Sequence, residues 1–204
     1  MTEIRKFNYR SLTDLKNEID RLGLEIPIAD SFEILGEEVC PAGKSVIPNR
    51  LAVHPMEGAD ANPDGTPGEL SFRRYKRYAA GGAGLIWFEA VAVNEMGRAN
   101  DLQCFLNRET VGSFKKIVDM IRETAGRRYG DEFSPYLVIQ LTHVGRFGRH
   151  NKILFHHDLV DNAPAAGIPE GHPVMEDEEL EELEEHFLEA ARLAEQAGFD
   201  AVDI

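Results

Sequence analysis

From Asn49 to Ile204 short apolar runs alternate with amphipathic stretches, and few folds accept that pattern. "NRLAVHPM" (49–56), "GLIWFEAVAV" (84–93), "YLVIQL" (136–141) and "DAVDI" (200–204) read as strands. Three helical segments separate them. Ser71–Ala80 is entered through "GELSF" and left through the glycines of "AAGGAG". Ser113–Ala125 carries Phe114, Ile117, Val118 and Ile121 on one face. Glu176–Ala197 carries a stripe of Leu180, Leu183, Phe187, Ala190, Ala191 and Ala194, with Gly198 as its stop. Strand–helix alternation is the signature of parallel βα units. The strands are near-continuous apolar runs, so helices are expected over the outside of the sheet. The fourth strand is the last segment, and an unsatisfied sheet edge is an uncomfortable place for a domain to stop. The expectation is an α/β protein: roughly the first four strands of a (β/α)8 TIM barrel, with the rest absent from the chain or supplied by another.

Ahead of residue 49 the signals are local. Ser11 and Asp14 resemble a capping box, Leu12, Leu15, Ile19 and Leu22 share a face, and Gly23 stops the helix. "SFEIL" and "SVIP", parted by Pro41–Gly43, predict a hairpin. The organisation expected is an N-terminal helix and hairpin over 1–48, then an incomplete barrel domain over 49–204. A net charge of −14 disfavours nucleic acid and anionic membranes, which both require a basic footprint. There is neither a transmembrane-length apolar run nor a secretory h-region. Cys40 and Cys104 stand far apart without a CxxC spacing, so neither a disulfide scaffold nor a zinc site is expected, and a cytoplasmic location is the natural reading.

Parallel barrels do their chemistry at the carboxyl ends of the strands. Strand by strand, polar residues collect there: His54-Pro55-Met56-Glu57, then Glu89-Ala90, then Gln140-Leu141-Thr142-His143, then Asp203. The repetition favours a ligand site. Each residue also has a plainer local reading. Gln140 can satisfy loop backbone, His143 can be a packed histidine, and Arg146 and Arg149 can bind loop carbonyls. "HHD" (156–158) is not expected to hold metal, because neighbours in an extended segment point opposite ways. "GGAG" (81–84) precedes a strand, so it suits a helix stop rather than a dinucleotide loop. The acidic run Glu176–Glu185 reads as a solvated helix face. The stretch 145–175, with Pro164, Pro169 and Pro173, is long enough for a lid or a passive excursion.

"NRLAVHPMEG", "GGAGLIWFEAVAV", "VIQLTHVGR" and "AARLAEQAGFDAVDI" resemble, in order and with plausible spacing, the signatures of the old yellow enzyme family of FMN-dependent NAD(P)H:flavin oxidoreductases. The resemblance implies an eight-stranded barrel with FMN at its carboxyl-end mouth, and a hairpin plugging the bottom. It implies that Pro55 and Met56 lie along the flavin ring, that Ala90 gives it close approach, and that Gln140 pairs with its pyrimidine edge. An amide suits that edge because both offer donors and acceptors. Thr142, His143 and Arg146 would shape the mouth. Two positions depart from the family: Glu57 stands beside the flavin carbonyl where relatives carry Thr, Cys or a small residue, and Thr142 takes an often aromatic place. The catalytic pair, the proton donor and the phosphate grip would all follow Ile204. The implied activity is hydride transfer from NADH or NADPH through FMN to an activated alkene or similar small-molecule acceptor, with homo-oligomerisation left open. The alternatives are a metal-dependent barrel hydrolase using His54, His143 and His150, and a non-catalytic truncated barrel chain.

Overall fold

Ser11 opens the first helix as its sequence predicts. In the computed structural model, which describes residues 8–29, 31–41, 45–148, 152–161 and 171–204, its hydroxyl accepts from the Asp14 amide (3.1 Å) while the Asp14 carboxylate accepts from the Ser11 amide (3.1 Å). The helix, α1, runs Leu12–Leu22 and stops at Gly23, whose φ of 63° is the left-handed conformation glycine adopts at little cost. By their internal contacts residues 1–33 form one compact unit and 34–204 another.

The predicted hairpin is only partly formed. "SFEIL" is not a strand; Glu33–Gly36 is a 3-10 turn. The Ser31 hydroxyl accepts from the Glu33 amide (3.1 Å), a local bond that competes with any ladder. What survives is one antiparallel bridge, Val39 with Ile47, at 2.9 and 2.8 Å. Residues 42–44, including most of the expected turn, lie outside the described residues.

The larger unit alternates as expected: β1 (Ala52–Val53), α2 (Glu69–Gly81), β2 (Leu85–Ala92), α3 (Val111–Tyr129), β3 (Tyr136–Thr142), a short α4 (Asp158–Asp161), α5 (Asp177–Ala197) and β4 (Ala201–Asp203). The strands form one parallel sheet in the order β1-β2-β3-β4. The helices run past their apolar faces because caps set their ends. Gly82 closes α2 at φ 79°, and Glu176 and Glu179 close a capping box at the start of α5. Strand β1 is much shorter than the eight residues expected. The Asn49 side chain replaces the ladder below it, accepting from the Leu51 and Gly84 amides (3.0 and 2.8 Å) and donating to the Gly82 carbonyl (2.7 Å). Above it, Pro55 has no amide hydrogen to give.

One face of the sheet is covered. Ile86, Phe88 and Val91 of β2 and Leu137, Ile139 and Leu141 of β3 are buried with Tyr75 and Ala79 of α2, Phe114, Ile117 and Ile121 of α3, and Ala190, Ala194 and Ala197 of α5. Tyr75 stacks on Phe88 with ring centroids 4.1 Å apart. Each such large side chain contributes about 1.5–3 kcal/mol on burial. The opposite face carries Leu85, Trp87, Ala90, Tyr136, Gln140, Thr142, Ala201 and Asp203, all half-buried. Strand alternation and register thus divide the sheet into a packed face and an opposite, half-buried inner face. No helix among the described residues is long and apolar enough to cross a membrane.

Candidate active site

Register places the site. Ala90 pairs with Gln140, and Gln140 pairs with Asp203, so three inner-face residues stand level on three neighbouring strands, about 4.8 Å apart. Thr142 stands two residues higher, beside Ala92. From β1 the chain continues through His54, half-buried Pro55, Met56 and Glu57 to Gly58, whose amide donates to Glu89 Oε2 at 2.8 Å. The segment after β1 is therefore fastened beside the row.

A β-bulge decides which residue of β2 faces inward. Strict alternation after Trp87 would send Glu89 inward and Ala90 out. The register shifts between Phe88 and Ala90, so Ala90 takes the inner place opposite Gln140. Glu89 is 1% exposed and lies on the helix side, which removes it from the strand-end carboxylates on which a hydrolase reading would draw. There it joins a buried charge cluster. Arg74 of α2 bridges Glu89 and Asp60, Ser71 Oγ donates to Asp60 at 2.6 Å, and the Glu89 amide donates to Tyr75 Oη at 2.8 Å. Burial drives the Glu89 carboxyl above its ordinary range despite the Gly58 amide and the guanidinium. Burial also pushes Asp60 upward, but its bonds to Arg74 and Ser71 outweigh this and leave it below the ordinary range. Burial disfavours the Arg74 charge, yet its two carboxylates hold its pKa above normal. A Cβ on Gly58 would lie 2.2 Å from the Arg74 guanidinium, so any larger residue there would push that guanidinium off its carboxylates. The next residue, Ala59, sits at φ 46°, a strained conformation for a side-chain-bearing residue.

The other predicted residues divide. Gln140 Nε2 donates to Asp203 Oδ2 at 2.8 Å, so the amide is engaged across β3 and β4. Met56 is 60% exposed at the strand end. Glu57 Oε1 accepts from Asn100 Nδ2 at 3.2 Å, a partner in the loop after β2. Arg146 is bound to Asp161 (3.0 Å) and to the Phe155 carbonyl (3.0 Å), bracing the loop after β3. His143 accepts from the Gly145 amide through Nδ1 (3.1 Å) and packs on Gly97, where a Cβ would lie 2.6 Å from its ring. It lines a side cleft of about 320 Å³ with Asn94, Met96, Lys152, Met175 and His186. Burial, and then His186, lower its pKa. His54 is exposed, Arg149 and His150 lie outside the described residues, and no three His, Cys, Asp or Glu among the described residues gather as a metal site. Sequence reasoning missed Arg74, Asp60 and Asn100, and gave Asp203 no role. Arg74 and Asp60 carry no motif, and only contact reveals them.

Chemically the row offers one amide edge, one small residue and one carboxylate that holds the amide, and the segment after β1 adds an exposed thioether. That set fits a flat heteroaromatic ring with donors and acceptors along one edge, as an isoalloxazine has. None of the inner-face residues named is cationic, so the row fits the ring of FMN and not its phosphate.

Residues 41–204 match the sequence profile of the NADH:flavin oxidoreductase / NADH oxidase family. An NADPH dehydrogenase of Listeria monocytogenes is 34% identical over 159 residues, 76% of this chain and 43% of that protein. The structure of morphinone reductase in complex with tetrahydroNAD superposes with a TM-score of 0.65 at 22% identity, covering 82% of this chain and 48% of that one. An old yellow enzyme homologue from Zymomonas mobilis gives 0.64 at 22% identity, covering 82% and 47%. The chain thus spans less than half the length of these three relatives. The structural likeness identifies the four-stranded wall as part of a (β/α) barrel.

Proposed function

The chain belongs to the NADH:flavin oxidoreductase / NADH oxidase family, and on that footing we propose that its protein binds FMN and passes a hydride from NADH or NADPH to an activated alkene or similar small acceptor. FMN supplies the two-electron chemistry, while the protein binds, orients and shields it. The observation that carries the reading is the level row Ala90–Gln140 on the inner face, formed because the bulge turns Glu89 away. Ala90 leaves room for a ring to approach the strand. Gln140 offers hydrogen bonds to the ring's pyrimidine edge. Pro55 and Met56 give an apolar flank, and Glu57 is drawn toward Asn100 at the rim. Thr142 stands above the ring position, with His143 and Arg146 shaping the loops of the mouth. A nicotinamide donor is supported by the names of the curated relatives, NADPH dehydrogenases, and by the neighbour solved with tetrahydroNAD.

The test is anaerobic reduction of the full-length, flavin-loaded protein by NADH and by NADPH, followed by addition of an α,β-unsaturated ketone. Bleaching of the visible flavin bands by a nicotinamide, and their return with consumption of the enone, is the expected result. A protein that binds no flavin, or a reduced flavin that no activated alkene reoxidises, would overturn the proposal.

A further inference from the structure

We propose that Asp203 is a positioning residue for the flavin site: its carboxylate holds the Gln140 amide in a single orientation toward the ring. The inference rests on the reading of Gln140 as the residue that meets the pyrimidine edge. Gln140 and Asp203 are register partners on the same inner face, both half-buried, with Nε2 to Oδ2 at 2.8 Å. An ionised carboxylate only accepts hydrogen bonds, so the amide nitrogen, not its oxygen, must face β4. One amide hydrogen is thereby spent on Asp203. The other hydrogen and both lone pairs of Oε1 are presented together in a fixed order.

That order matters because the strand fixes which neighbouring donor and acceptor of the ring edge the amide meets, and against that one pair the flipped amide sets donor to donor and acceptor to acceptor. A charge-assisted bond is about twice as strong as a neutral one, enough to hold nearly all molecules in one flip. Without the carboxylate the amide is shared between flips and other rotamers. The binding-competent fraction then drops to about half or less, and apparent affinity drops by the same factor. Adding the poorer geometry of the remaining bond gives an expected two- to tenfold loss, in the range of one ordinary hydrogen bond.

The experiment is a double-mutant cycle on the full-length protein, with FMN affinity measured by titration into apoprotein and folding checked by thermal melting. Asp203→Asn keeps the shape but lets the facing amide pair in either flip. Asp203→Ser serves where the asparagine variant melts early. Either should weaken FMN about two- to tenfold, and neither should weaken it further in a Gln140→Ala background. The visible bands of bound flavin, which respond to hydrogen bonds on the ring, should shift alike in Asp203→Asn and Gln140→Ala. Wild-type affinity in Gln140→Ala would remove the underlying reading of Gln140. Weakening by Gln140→Ala with none from Asp203→Asn would overturn the role of Asp203 alone. Equal weakening by Asp203→Asn with and without Gln140 would make Asp203 a strand-packing residue, and the proposal would be lost.

Discussion

Arg74→Met tests the buried charge cluster that fastens the β1 end to the β2 bulge. Arg74 is 20% exposed at its side chain, Asp60 11% and Glu89 2%, so removing the guanidinium leaves two shielded carboxylates facing one another. Breaking a buried pair from one side typically costs about 3–5 kcal/mol. A ceiling comes from titration. A stranded carboxyl with an ordinary value near 4.5 can instead take up a proton at pH 7, at about 1.36 kcal/mol per pH unit, or about 3.4 kcal/mol. The expected loss is therefore about 3 kcal/mol at pH 7, shrinking by about 1.4 kcal/mol per unit as pH falls, to below about 1 kcal/mol at pH 5. The wild-type carboxylates have opposite signs. Asp60, held low, contributes stability present above its unfolded pKa and lost as pH falls through its folded one. Glu89, held high, contributes stability present below its unfolded pKa and lost as pH rises through its folded one. In Arg74→Met one carboxyl takes up a proton and can donate it to the other, so the variant should recover with acid relative to wild type. Arg74→Lys keeps a charge without the planar fork and should fall between the two. Urea unfolding followed by the fluorescence of Trp87, the single tryptophan, reads the sheet directly. FMN affinity should fall as well, because Gly58 loses the ordered carboxylate it donates to. A loss under about 1 kcal/mol at pH 7, or one that does not shrink with acid, would refute the reasoning.

Glu57→Gln in the flavin-loaded protein removes an acceptor carboxylate held by Asn100 and proposed to flank the ring, so potentiometry should find a raised flavin midpoint potential; a fall would mean Glu57 does not face the flavin. Asn49→Ala deletes three hydrogen bonds that join the start of β1 to the turn before β2, and chemical denaturation should show a loss of about 1.5–4 kcal/mol; under 0.5 kcal/mol would mean the brace is dispensable. His156 faces two acceptors, the Asp161 carboxylate (2.9 Å) and the His172 carbonyl (2.8 Å), so both ring nitrogens must carry hydrogens for both bonds to form. The Asp161 bond, then the His172 carbonyl, raise its pKa above 6.5, so the stability it contributes is full below its unfolded pKa and lost as pH rises through the folded one. An NMR titration should place the His156 midpoint above 6.5 and show it dropping in Asp161→Asn; a midpoint at or below 6.5 in the wild type would contradict the double-acceptor geometry.

The helices and the long strands were legible because their causes are local. The apolar stripe of α3, the Ser11–Asp14 box of α1 and the left-handed glycine after α2 each act within one or two turns of chain. The βα alternation likewise implied a parallel sheet, and the ordered motifs pointed to the family. Where a nearby side chain competes for the backbone, the pattern misled: Ser31 turned "SFEIL" into a 3-10 turn, and the Asn49 brace with Pro55 shortened the first strand to two residues. The strand-end rule singled out Ala90 and Gln140, which the register sets side by side, and the Pro55–Glu57 segment that leads to the Gly58–Glu89 bond, but not their partners. Whether Glu89 or Ala90 faces inward depends on a bulge, and that bulge is held by Arg74 and Gly58 from other elements. Gln140 and Asp203 lie 63 residues apart, and Glu57 and Asn100 43, separations at which composition and periodicity carry no signal. Periodicity expresses the geometry of a single helix or strand, so sequence determines the elements. A charge or an amide is satisfied only by what the fold brings to it, so the pairings that orient the site exist only once the sheet has closed its register.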